Sequence, residues 1–203
     1  MAVKRGRLVA FEGLDGCGKS TQLARLRARL DGERTLFTRE PTDGPHGRQI
    51  RAAARKGDPL DPTQELAWFR DDRREHVDRE IEPALAAGRW VVTDRYFLST
   101  VAYQGARGLD WHAILRESEA SFPVPDLVLL FELDPAIGLA RIEARGGTRE
   151  PLFEREAFQH RVAAIFAALE RPYIRRIDAA QAEDTVAADV ATAFRALGEP
   201  VPD

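Results

Sequence analysis

The residues Gly13-Leu14-Asp15-Gly16-Cys17-Gly18-Lys19-Ser20 carry the pattern G-x-x-x-x-G-K-S/T, with Thr21 directly after it. Glycines at this spacing let the backbone wrap around phosphate oxygens so that successive N–H groups point inward, and a helix starting behind them adds the positive end of its dipole. Lys19 supplies a mobile positive charge. Ser20 offers a hydroxyl to Mg²⁺, a hard cation usually shared with phosphate oxygens. Farther along, Arg39 lies in Thr38-Arg-Glu-Pro41 and Arg95 follows Asp94. A guanidinium is a rigid fork that matches phosphate oxygens, so both arginines are candidate anion clamps, while Asp94 is placed to organise Mg²⁺ or its water. Asp94 also reads as a helix cap with Arg95 as its surface partner. Cys17 reads as a small packing residue within the loop, although a thiolate at a helix start is electrostatically favoured.

These groups need a scaffold that brings distant segments to one edge. Short apolar runs at Leu8 to Glu12, Thr35 to Arg39, Trp90 to Asp94 and Leu127 to Leu133, with a weaker one near Tyr173 to Ile177, alternate with helical patterns. Near-continuous apolar strands separated by helices indicate a parallel sheet covered on both faces. The phosphate-binding pattern falls between the first strand and the first helix, where its chemistry requires it. The longest helical pattern starts after Asp61-Pro62-Thr63, and its apolar residues Leu66, Phe69, Val77, Ile81 and Leu85 recur every three or four positions. Arg73 falls on that stripe, so its methylenes lie on an apolar wall while its guanidinium needs water or an acceptor.

The chain has 203 residues, 44% of them hydrophobic, which fits one globular domain. Its 30 Lys plus Arg against 33 Asp plus Glu leave a formal charge of −3, so nothing suggests a nucleic-acid coat. The longest apolar stretch, Leu127 to Phe131, is far below the ~20 residues of a membrane span. The N-terminal residues lack the apolar centre of a secretory signal, and the lone Cys17 forms no internal disulfide, so a cytoplasmic location is expected.

Phe11-Glu-Gly-Leu-Asp-Gly-Cys-Gly-Lys-Ser-Thr-Gln22, Thr38-Arg-Glu-Pro41, Phe69-x-x-x-Arg73, and Asp94-Arg-Tyr96 followed by Ala102-Tyr-Gln-Gly105 together resemble the thymidylate kinase family, in the family's order, from about Leu8 to Asp178. The resemblance implies a three-layer α/β P-loop NTPase fold: a mostly five-stranded parallel sheet flanked by helices, with a short mobile lid. It implies transfer of the ATP γ-phosphoryl group to dTMP, with Mg²⁺ held near Ser20, Asp94 and Asp15. In that reading Arg95 and Arg39, with Pro41 beside them, hold the acceptor phosphate; Phe69 stacks on thymine; Arg73 donates to its O4; and Thr100 with Gln104 complete the contacts to the base. Tyr103 crowds the sugar 2′ position. Asp15 corresponds to the family carboxylate close to the acceptor 3′-hydroxyl and the metal. Tyr96, Ser99, Thr100 and Tyr103 recur every three or four residues, so they are expected on one helix face lining the nucleoside pocket.

Some members place an arginine inside the P-loop; here that position is Gly16. The charge over ATP is then expected from a lid spanning about residues 145–154, carried by Arg145 or Arg149, with Arg155 as a further candidate. A solvated charged loop is the other reading of that segment, which departs from the family by having Pro151-Leu152 before Phe153-Glu154. The family implies a homodimer acting on small molecules. A deoxynucleoside kinase and a catalytically silent nucleotide-binding module are the competing functions. No Asn-Lys-x-Asp segment for reading guanine is found.

Overall fold

The computed structural model describes residues 4–56, 60–146 and 152–198. Among them five strands form one parallel sheet: β1 (Leu8–Gly13), β2 (Thr35–Arg39), β3 (Trp90–Asp94), β4 (Leu127–Glu132) and β5 (Ile174–Asp178), in the order β2-β3-β1-β4-β5. β1, β3 and β4 are central and almost wholly buried. β5 is an edge strand in which only Ile177 is buried, which accounts for its weaker apolar signal. The weaker strand expectation sits one residue early; the others match to within a residue at one end.

Alternation along the strands splits the core in two. Leu8, Ala10, Val91, Val128 and Leu130 face one layer of helices, where they meet Ile81, Phe97, Val101, Ile114 and Phe166. Val9, Phe11, Val92, Leu129 and Phe131 face the other, against Leu26, Val190 and Phe194. On that second face Phe11 stacks on Phe131 with ring centroids 5.4 Å apart, and Trp90 on Phe194 at 5.8 Å. Helices α1 (Lys19–Arg27) and α9 (Glu183–Ala196) close this side.

The other layer contains the helices that shape the site. Helix α2 (Pro45–Lys56) packs on α3 (Pro62–His76), whose start is capped by the Asp61 carboxylate accepting from the N–H groups of Thr63 and Gln64. The helical run continues through a π-helical turn, Val77–Ile81, into α4 (Glu82–Ala86). Pro83 has no N–H to donate and its ring crowds the preceding turn; the widened turn accommodates both. Helices α5 (Phe97–Ala106), α6 (Trp111–Ser121), α7 (Pro135–Glu143) and α8 (Leu152–Ala168) follow.

Parallel strands deliver their carboxyl ends to one edge, where ligands of open α/β sheets bind. Gly13 ends β1, Arg39 ends β2 and Asp94 ends β3, with Arg39 opposite Asp94 and Asp94 opposite Phe11. Three segments that lie up to about eighty residues apart in the chain thus converge.

Candidate active site

The loop between β1 and α1 is shaped by close backbone approaches. A Cβ on Gly13 would stand 2.5 Å from the Phe131 carbonyl oxygen, and one on Gly16, at φ +79°, 2.2 Å from the Gly138 carbonyl oxygen of α7. Both positions exclude side chains, so the loop stays narrow enough to present its N–H groups. Lys19 is buried and donates to the carbonyls of Gly13 (3.0 Å) and Leu14 (2.7 Å), and to Cys17 Sγ at 3.5 Å. Cys17 is buried against Lys19, as a packing residue would be. Leu14 is buried; Gly18, Ser20 and Thr21 lie toward the surface.

Ser20 Oγ stands 3.5 Å from Asp94 Oδ2, while Asp94 Oδ1 is buried without a hydrogen-bond partner among the described residues. An unpaired buried carboxylate oxygen beside a hydroxyl is a hard-oxygen donor set that suits Mg²⁺ completed by phosphate oxygens.

Arg95 is the one non-glycine residue with positive φ, 68°, among the described residues. Its backbone is held there by its N–H on Phe11 O (2.9 Å) and by the Thr93 hydroxyl donating to its carbonyl (2.8 Å). The turn aims its guanidinium back over the phosphate loop. Nη1 donates to Gly13 O (3.2 Å) and Ser99 Oγ (2.9 Å), and Nη2 to Asp15 Oδ1 and to the Tyr103 hydroxyl (3.5 Å). The guanidinium carbon lies 5.2 Å from the Tyr103 ring centroid. Burial by itself would raise the Asp15 pKa, but the Arg95 and Lys19 charges outweigh it and hold the carboxyl below its ordinary range. Arg39, by contrast, is largely exposed and paired with Asp43 at 2.9 Å.

Arg73 is only 1% exposed. The acceptor its guanidinium requires is Glu40: Nε and Nη2 both donate to Glu40 Oε2, at 2.9 and 2.6 Å. Nη2 also reaches Thr100 Oγ1 (2.8 Å), and His76 Nδ1 lies 3.0 Å from Glu40 Oε1. Nη1 has no partner among the described residues and is buried. One turn along α5 from Thr100, Gln104 donates through Nε2 to Glu65 Oε2 (2.6 Å), leaving Gln104 Oε1 buried and likewise unpartnered. Since the Glu65 carboxylate only accepts, the amide orientation is set: nitrogen to Glu65, oxygen away. Phe69 lies midway between Glu65 and Arg73 on α3, partly buried. Pro41 is half-buried, and its carbonyl accepts from Arg51 at 2.8 Å.

The expected α5 face divides in the structure. Thr100 and Tyr103 turn toward Arg73 and Arg95. Tyr96 is buried in the core, its ring 5.0 Å from that of Phe97 with the Arg73 guanidinium carbon 5.2 Å from its centroid, and Ser99 donates to Glu12 while accepting from Arg95. Spacing alone did not reveal this, because Tyr96 precedes the helix in extended backbone. Glu12, Glu40, Glu65 and His76 were not singled out from the sequence. The available signal was a charge inside otherwise apolar runs, which must find partners.

Arg145, past the end of α7, is exposed and donates to the Arg141 carbonyl at 3.0 Å. Arg149 and Pro151 lie outside the described residues.

The family model for thymidylate kinase matches residues 11–190. Relatives named thymidylate kinase include one from Desulfotalea psychrophila, 42% identical over 94% of this chain and 95% of its own length, and one from Akkermansia muciniphila, 43% identical over 94% and 92%. One from Xanthomonas campestris pv. campestris is 46% identical over 89% of this chain and 79% of its own. Among solved structures, the thymidylate kinase of Ehrlichia chaffeensis superposes with a TM-score of 0.73 at 27% identity, covering 94% of this chain and 99% of the other. With the family model matched over most of its length and relatives of that name at 42 to 46% identity, the chain belongs to the thymidylate kinase family.

Proposed function

We propose that the chain transfers the γ-phosphoryl group of ATP to the phosphate of dTMP. An acceptor phosphate oxygen forms a bond to the γ-phosphorus, the bond to the β-phosphate oxygen breaks, and ADP and dTDP result. The observation that carries this reading is Arg95, a cation bonded at once to the Gly13 carbonyl and to Asp15 of the donor loop. A clamp in that place brings two phosphate-bearing molecules end to end, which is most of what phosphoryl transfer demands.

In this reading the N–H groups of residues 13–21 and Lys19 hold the ATP phosphates. Ser20 and Asp94 would hold Mg²⁺, with Asp15 nearby; bound there, the ion offsets phosphate charge. Arg95 and the exposed Arg39 grip the dTMP phosphate, and the Tyr103 ring stands beside Arg95 where the sugar must pass. The buried, unpartnered Arg73 Nη1 is a donor and Gln104 Oε1 an acceptor. Thymine offers the reverse pair, O4 and N3–H, whereas cytosine presents an amino donor and a bare nitrogen, opposing like with like at both. The cation over the transferring group comes from Arg145 or Arg149, within a lid of about residues 145–154. We take residues 1–203 to act as one kinase domain, in the cytoplasm and as a homodimer.

Coupled measurement of ADP release with dTMP, dUMP, dCMP, dGMP and deoxythymidine tests this. Turnover is expected with dTMP far above dCMP and dGMP. Activity on deoxythymidine with none on dTMP would reject it in favour of a nucleoside kinase, and ATP binding without turnover on any acceptor in favour of a silent module.

A further inference from the structure

Glu12 is the fully buried charge for which phosphoryl transfer gives no direct task. It lies in β1, with 0% exposure, one residue before the phosphate loop. A carboxylate there is tolerable only if donors surround it. Oε1 accepts from the N–H groups of Tyr96 (2.9 Å) and Ser99 (3.1 Å), and Oε2 from the Ser99 hydroxyl. Helix α5 receives no cap bond from the side chain of Tyr96, the residue before it. Glu12 therefore caps α5 from a different strand, placing negative charge at the positive end of the helix dipole.

The contact with Ser99 has a second consequence. A serine hydroxyl has one hydrogen. With that hydrogen given to Glu12, the side of Ser99 Oγ facing Arg95 is a lone pair, and Nη1 of Arg95 donates to it at 2.9 Å. We propose that Glu12 is a positioning residue: through Ser99 it holds the Arg95 guanidinium over the donor loop, in the pose that receives the acceptor phosphate. This rests on the reading of Arg95 as the acceptor clamp.

The Glu12→Gln substitution tests the relay with almost no change of shape. The two backbone N–H groups keep the amide oxygen on them, so the amide nitrogen faces Ser99. It donates to Ser99 Oγ, so the hydroxyl hydrogen loses its acceptor and either stays buried without one or turns against the Arg95 donor; both outcomes loosen the hold on the guanidinium. At pH 8 or above, where the parent carries the Glu12 carboxylate, kcat/KM for dTMP should fall by about tenfold or more in the variant, with the KM for ATP changed less than about twofold, because a hydrogen bond to a charged group is lost. Ser99→Ala, which leaves both backbone cap bonds in place, should give a similar loss and carries the test if Glu12→Gln does not fold. The double variant should be no worse than the weaker single variant, because both cut one relay. Wild-type efficiency in either single variant, or losses that multiply in the double, would overturn the proposal. Arg95→Ala separates the two readings. If it leaves kcat/KM for dTMP unchanged, the clamp itself is wrong; if it lowers that efficiency while Glu12→Gln does not, only the relay is wrong.

Discussion

Replacing Arg73 by alanine should unfold the protein more readily as well as blunt base recognition, and the size of the first effect follows from the contacts. The truncation removes two donors from Glu40 and one from Thr100, and a cation that stands 5.2 Å from the Tyr96 ring centroid. Glu40, with its side chain 4% exposed, is left with His76 Nδ1 at 3.0 Å as its neighbour from the pair network. Removing one partner of a buried ion pair costs about 3 to 5 kcal/mol, because the remaining charge is still out of water. For a chain of this length each kcal/mol moves the melting temperature by about 2 to 4 °C, which gives a fall of roughly 6 to 20 °C. Thermal unfolding followed by circular dichroism measures it. Adding Glu40→Gln in the Arg73→Ala background should restore at least about 1 kcal/mol, since an amide is far cheaper to leave buried than a carboxylate. A melting temperature for Arg73→Ala within about 2 °C of the parent, or no recovery in the double variant, would refute this account of the pair. Selectivity between dTMP and dCMP should be read well below the variant's melting range, where lost folding does not pass for lost recognition.

Gly16→Ala should weaken ATP binding by tenfold or more in a fluorescent-analogue titration, because a Cβ there meets the Gly138 carbonyl oxygen at 2.2 Å in a backbone with φ +79°; wild-type affinity would show that the loop can shift at little cost. Arg95→Ala should raise the KM for dTMP by at least about tenfold while leaving ATP binding nearly intact, whereas exposed Arg39, paired among the described residues with the exposed Asp43 side chain, should contribute less than Arg95 when replaced by alanine. Burial pushes Glu12 up from 4.5 to about 7, against the Ser99 and Tyr96 hydrogen bonds and the Arg95 charge. The folded state therefore holds this proton more tightly than the unfolded chain, so the Glu12 charge costs stability increasingly as pH rises from 4.5 to 7. The melting temperature of Glu12→Gln relative to the parent should accordingly improve between pH 5 and pH 8, and a flat difference across that range would contradict the raised value.

Much of this molecule was readable in one dimension. The phosphate loop is local: eight adjacent residues contain its glycines, its lysine and its hydroxyl, and strand and helix signals flank it, so no distant contact was needed to recognise it. Apolar runs located the strands because those buried on both faces have little freedom to be anything else, and the edge strand β5 was fainter because water covers most of it. Resemblance to a family supplied Arg73, Thr100 and Gln104 as base contacts, yet it said nothing of the carboxylates behind them. Glu40, Glu65 and Glu12 were invisible as partners because each is joined to its guanidinium, amide or hydroxyl across 33 to 87 positions of chain, in the pairs Glu40–Arg73, Glu65–Gln104 and Glu12–Ser99. Folding alone decides which of a charge's many sequence-compatible partners lies within 3 Å, and so which side chains hold a ligand and which hold the holders.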